Sequence, residues 1–294
     1  MTWTSTDSWI LFNTLLVIIN CVLPGVFLVL RKNSLLGDGI SHAVLPGIAF
    51  AFLLTGTRNS IFLFLGAVAA GLLLAFLIEF LQKHLALEKN AILGAVFTLL
   101  FATGLVLIEQ GARNVDLDPS CVLFGAVEIS PLARISIGAI KIPEASIRLM
   151  LLLLLNTTLL LLFYKELNIM SFDPMLAKSL GYRITLANYL FIIDVAITAV
   201  SVFEIAGSIQ TVAFLTIPAA TASLFTKHVR NTILMAIFFG ILAAIGGYMI
   251  AVVIPLNIGV PDTNVGGGTS IMAGIILFIV IFLTKGLKKP NVVR

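Results

Sequence analysis

The sequence predicts an all-α polytopic membrane protein, and three observations carry that prediction. Of its 294 residues, 60% are hydrophobic and 11% charged, where soluble domains carry about 25% charged residues. The mean hydropathy is +1.13. The apolar residues fall in long, nearly continuous runs of the roughly 20 residues that a helix needs to cross a bilayer, whereas a transmembrane barrel would show short alternating segments divided by turns. The net charge of +4 comes from Lys and Arg at the ends of these runs. It therefore reports membrane topology rather than a nucleic-acid surface.

Taken in order, spans are predicted near 9–30, 38–56, 61–82, 91–110, 147–166, 188–204, 207–226, 231–254 and 269–286, about eight or nine in all, with the sixth and seventh broken or re-entrant. Nothing basic precedes the first run, so residues 10–30 are expected to remain as a span rather than to be removed as a signal peptide. Simple alternation puts 13 Lys and Arg on one side and 5 on the other, which places the N-terminus outside and the C-terminus in the cytoplasm. Between Gly111 and Arg148 the acids Asp116 and Asp118, the prolines Pro119, Pro131 and Pro143 and the Leu123-Phe124-Gly125 triplet break the pattern. Short helices dipping into the outer leaflet are expected in this outer-face segment, near 111–146. Residues 257–270 read as an outer turn, with Thr269 and Ser270 capping the last helix. The pairs Gly66 with Ala70 and Ala67 with Gly71 read as ordinary close helix packing. Cys21 and Cys121 allow at most one disulfide and have no metal-site spacing.

The stretch 37–47, Gly-Asp-Gly-Ile-Ser-His-Ala-Val-Leu-Pro-Gly, organises the functional reading. Asp38 and His42 stand four residues apart at the start of an apolar run, so a helix sets both on one face, where a borderline divalent cation can bind. Ionisable groups inside a membrane cost about 2.5–3.5 kcal/mol on insertion scales and usually mark function. The competing structural role has Asp38 capping the helix and His42 bonded to a carbonyl. Imidazole suits first-row divalent cations and carboxylate favours the harder Mn²⁺, so two ligands do not fix the metal. Asp194 and Glu204 are further acids, about 15 Å apart on a continuous helix. Asp194 is a possible pathway residue or a partner of Arg148, and Glu204 lies near an outer end; structural roles are preferred for both. His84 and His228 sit beside Lys83 and Lys227 and read as solvated. Pro46 and Pro218 remove helical hydrogen bonds inside spans and can free carbonyls toward a cavity.

Before the sixth span, Asp173 is placed to cap a short helix with Pro174 at its first position and Gly181 at its stop. Leu176 and Leu180 share one face of it. Such a helix either lies on the membrane surface, with Lys178 and Arg183 snorkelling, or docks onto a partner.

Together the motif Leu35-Leu36-Gly37-Asp38-Gly39-Ile40-Ser41-His42-Ala43-Val44-Leu45-Pro46-Gly47, then Val122-Leu123-Phe124-Gly125, then Ile217-Pro218-Ala219-Ala220-Thr221-Ala222 resembles the permease subunits of ABC importers for manganese, zinc or iron. The resemblance covers nearly the whole chain as a single permease domain, 1–294, and departs from the family in a longer segment from Glu128 to Arg148. It implies a fold similar to the cobalamin-permease-type importers and a multi-pass protein of the bacterial plasma (inner) membrane. It also implies a pair of permeases over two ABC ATPase subunits, fed by an extracytoplasmic metal-binding protein. Asp38 and His42 would then contact the transported metal, and residues 173–181 would be the coupling helix held by the ATPase. The chain has no phosphate-binding loop of the G-x-x-x-x-G-K-[ST] type, so ATP hydrolysis is expected on the partner and no cofactor on this chain. An ion-gradient-driven cation carrier is the alternative, but no internal repeat supports it. A membrane metalloprotease would need an H-E-x-x-H pair, which the sequence lacks.

Overall fold

The computed structural model describes residues 4–56, 60–111, 127–137, 140–226, 228–258 and 263–287. The Leu123-Phe124-Gly125 triplet with Val122, and also Arg58, Arg113, Asp116, Asp118, Pro119 and Cys121, lie outside the described residues. Four helices come first: α1 (Ser5–Leu30), α2 (Leu35–Thr55), α3 (Ser60–His84) and α4 (Lys89–Gly111). They are followed by strands β1 (Arg134–Ile137) and β2 (Ile140–Pro143), then α5 (Glu144–Leu162), α6 (Tyr164–Phe172) and α7 (Pro174–Ser179). The 40-residue α8 (Ile184–Ser223), α9 (Val229–Tyr248), a π-helical stretch Met249–Val253, α10 (Ile254–Ile258) and α11 (Val265–Leu287) complete the chain. Among the described residues eight helices are long and apolar enough to cross a membrane.

The longest of these is two arms. Gly207 sits at φ 81°, ψ 171°, a conformation essentially restricted to glycine. Phe191 packs edge-on against Phe27, with ring centroids 6.2 Å apart, while the backbone of Leu215 lies directly against Gly25. On a straight helix Phe191 and Leu215 would be about 36 Å apart. Both instead meet positions of α1 two residues apart, so the chain doubles back at Gly207. The arms 184–206 and 208–223 are antiparallel and occupy the positions of the sixth and seventh predicted spans, a broken pair as expected.

The other contacts fix the two faces of the bundle. Thr4 and Asp7 form a reciprocal capping box at the start of α1, and Asp7 also accepts a 2.9 Å hydrogen bond from Tyr248 at the end of α9. Asn13 donates to Ser130 beside the strands, and Glu128 accepts from the backbone of Val265 where α11 begins. The start of α1, the end of α9, the β-hairpin and the start of α11 therefore share one face, the hairpin face. The opposite face carries the end of α1, the α6–α7 elbow and the start of α9, and α11 runs toward it. The first and last described residues, Thr4 and Leu287, therefore belong to opposite faces.

The hydrophobic core is centred on α1, nearly all of whose inner two thirds is buried, and on α8 and α2. Much of α3, α4, α5 and α11 turns Leu, Ile and Phe outward, as a lipid-facing surface requires. Close approach replaces apolar bulk where α2 crosses α3. A Cβ on Gly47 would stand 2.3 Å from the carbonyl oxygen of Gly66, and one on Gly66 would meet Gly47 and Ala51. The small residues of α3 thus serve intramolecular packing. Amides staple α1 to α5 and α8: Asn156 Nδ2 donates to Asn20 Oδ1 at 3.2 Å, and Thr198 donates to Asn156 Oδ1 at 3.1 Å. Each such bond within a bilayer contributes about 0.6 kcal/mol on average.

Two local expectations are corrected. In the described part of the segment before α5, a 3-10 turn at Val127–Ile129 is followed, where a further short helix was expected, by a β-hairpin with Ile135 opposite Ile142; β-branched residues alternate there and favour paired strands. The last helix starts at Val265 rather than after a glycine turn, and Asn264 Oδ1 accepts the Gly267 N–H at 2.8 Å as its cap. Its glycines let backbones touch, Gly268 lying against Ala251 and the Gly247 carbonyl, and Thr269 is buried under a hydrogen bond from Gln210.

Candidate functional site

The helix α2 begins at Leu35, after the tight link 31–34, so Asp38 falls in its first turn without capping it and His42 lies one turn further on. Their side chains meet, with His42 Nε2 3.4 Å from Asp38 Oδ1. The imidazole is stacked on Phe97 at 5.6 Å and meets the edge of Phe101 at 5.4 Å, both from α4. These rings hold it in one orientation. Relative exposures of 34% for Asp38 and 28% for His42 leave the pair open on one side to whatever adjoins the chain. The opposite side is closed by glycines: Gly37 faces Leu215, Gly39 faces Leu74 and Leu93, and Gly47 crosses Gly66. Pro46 has no N–H to give the His42 carbonyl and rests on Gly104 of α4, where a Cβ would come within 2.7 Å of its nitrogen. The pair therefore sits about 5 and 10 Å along α2 from the elbow face.

Among the described residues no three His, Cys, Asp or Glu side chains converge. Asp194 is not brought to the Asp38–His42 pair. Ala196 faces Gly71 of α3, which lies against Ile40, whereas Asp194 lines a small cavity of about 20 Å³ with Leu23, Pro24 and Asn156. Arg148 does not pair with Asp194; it holds Glu144 at 2.5 Å and Glu204 at 3.0 Å on the hairpin face, because Glu144 precedes it by one helical turn. Glu204 is exposed there. Pro218 lies in the second arm of α8, close after the Leu215 backbone that touches Gly25. His84 and His228 are exposed; His84 Nδ1 lies 2.8 Å from the Phe80 carbonyl.

On the elbow face, Asp173 Oδ1 accepts the N–H groups of Met175 at 3.0 Å and Leu176 at 2.9 Å, capping α7 with Pro174 at its first position. Gly181 at φ 79° ends the turn. Ala177 is buried and anchors α7 to the bundle, while Leu176 and Leu180 are exposed. So are Phe172 and Met175, which sequence reasoning missed and which widen the apolar surface. Also missed were the aromatic pair Phe97 and Phe101, visible only as an unremarkable i, i+4 repeat in an apolar run, and Arg31. Burial pulls the Arg31 guanidinium down to about 10, which leaves it charged at neutral pH.

Comparison with known proteins agrees with this architecture. The chain is 37% identical to the zinc transport system membrane protein TroD of Treponema pallidum over 95% of its own length and 73% of that protein's. It is 36% identical to the manganese transport system membrane protein MntD of Bacillus subtilis, over 92% and 90% of the two chains. Among solved structures, PsaBC from Streptococcus pneumoniae in complex with Fab superposes with a TM-score of 0.76 at 28% identity, covering 95% of this chain and 92% of that one. The model of the ABC 3 transport family matches residues 7–285, and the chain belongs to that family.

Proposed function

We propose that this chain is the permease of an ATP-driven importer that carries manganese or zinc into the cytoplasm, with Asp38 and His42 as ligands on the pathway. The observation that carries the reading is the pair itself: a carboxylate and an imidazole one helical turn apart, oriented by aromatic rings and open on one side within a transmembrane helix. A carboxylate offsets part of the charge of a dehydrated cation, and the neutral imidazole adds a ligand common to Mn²⁺ and Zn²⁺. Two ligands form half a shell, and a transport site must release what it binds. A second permease, a copy or a paralogue, supplies the facing half across the open side. The cited relatives are named for zinc and manganese, which supports these two metals.

The elbow face is read as cytoplasmic, since it carries Arg31, Lys32, Lys83, Lys89, Lys165, Lys178, Arg183 and Arg230. The apolar face of α7 there receives the ATPase subunit, and an extracytoplasmic metal-binding protein delivers the ion to the hairpin face. The N-terminus is then outside and the C-terminus cytoplasmic.

The test is uptake by complexes reconstituted with the ATPase and binding protein. Asp38→Asn and His42→Ala should assemble normally and lose at least about tenfold in metal uptake, Asp38→Asn more for Mn²⁺ than for Zn²⁺, because the harder ion depends more on carboxylate oxygen. Normal uptake per assembled complex would remove the ligand assignment.

A further inference from the structure

The end of α1 and the start of α2 are joined by a short link whose backbone is already committed. Asn33 N–H donates to Leu28 O at 2.8 Å, Leu36 N–H donates to Asn33 O at 2.9 Å, and Lys32 takes φ 56°. Such a link transmits displacement instead of absorbing it. Arg31 opens it, and its side chain reaches both limbs of the elbow. Nε donates to Ser171 Oγ at 3.2 Å, two residues before α7 is capped, and one terminal nitrogen donates to Asn188 Oδ1 at 3.3 Å, just after the elbow re-enters the bundle. The guanidinium lies 4.5 Å over the ring of Phe191, which itself packs on Phe27 of α1. On the far side of the link a cavity of about 190 Å³, lined by Asn33, Leu36, Glu79, Gln82, Lys89 and Asn188, leaves room for it to shift.

We propose that Arg31 is the positioning residue that ties movement of the α6–α7–α8 elbow to the Asp38–His42 pair. It grips the elbow on both sides and, seven residues before Asp38, begins the rigid link whose other end is the first turn of α2. The planar fork of arginine suits this task, because it bonds two acceptors and stacks on a ring at once, which lysine cannot. The inference rests on the docking of an ATPase at the elbow.

The test measures ATP hydrolysis and metal uptake together in reconstituted complexes. Arg31→Gln, and separately Ser171→Ala with Asn188→Ala, should keep the ATPase bound and hydrolysing while metal moved per ATP falls about tenfold, with Arg31→Lys intermediate. A role confined to stability would lower the amount of complex and leave that ratio unchanged, and an unchanged ratio in either variant overturns the proposal. Should Arg31→Gln fail to accumulate, the Ser171/Asn188 double variant decides alone, since it retains the guanidinium. Failure of the docking reading shows differently, as an ATPase that stays bound after Leu176→Asp with Leu180→Asp.

Discussion

Alanine at position 207 is expected to be the most damaging single-methyl change in α8. At φ 81° and ψ 171°, an L residue bears strain of about 1–3 kcal/mol. With a factor of ten for each 1.4 kcal/mol, that lowers the folded-to-unfolded ratio by about 5- to 150-fold. At about 2–4 °C per kcal/mol for a domain of this size, the melting temperature of the solubilised protein should drop by about 2–12 °C. Gly94→Ala and Gly274→Ala provide the contrast. Both glycines are helical with nothing within 4 Å of a built Cβ, so alanine there should be neutral or stabilise by up to about 1 kcal/mol. Thermal unfolding followed by tryptophan fluorescence ranks the three variants. If Gly207→Ala proves as stable as Gly94→Ala, the helix passes straight through position 207 and one crossing is lost. Both chain ends would then lie on the same side, which cysteine labelling at Ser5 and Val293 in a background lacking Cys21 and Cys121 reads independently.

Two further outcomes follow from the site. Replacing Leu176 and Leu180 with Asp puts charge on the exposed face of α7 without touching buried Ala177, so the permease should fold normally and the ATPase should no longer co-purify. Undiminished recovery with intact uptake would make α7 a surface anchor. Asp194→Asn keeps the shape of a side chain that faces Asn156 and the small cavity rather than His42, so uptake should stay within about twofold of the parent; a loss as large as that of Asp38→Asn would return Asp194 to the pathway.

Much of the site was legible because it is local. Asp38 and His42 meet through helical periodicity alone, and the cap at Asp173, the proline after it and the stop at Gly181 are three independent signals within nine residues. Where the sequence misled, a local signal had two meanings. Glycines 266–268 read as a turn because glycine usually breaks helices, but at Gly268 the missing side chain lets the helix touch Gly247 and Ala251. The isoleucines of 135–142 were submerged in a chain where apolar residues are everywhere, so their alternation carried little contrast.

From the sequence alone came the membrane class, the position of nearly every long apolar helix and the pairing of Asp38 with His42. Each depends on composition or on contacts within a few residues, and the bilayer enforces them by leaving the backbone no alternative to helix. Only the tertiary structure decided that α8 reverses at Gly207, that Arg148 takes Glu204 and leaves Asp194 lining its small cavity, and that Arg31 bridges both limbs of the elbow. The Arg148–Glu204 and Arg31–Asn188 contacts join residues 56 and 157 positions apart, and in an apolar chain no sequence period records which distant polar group finds which partner.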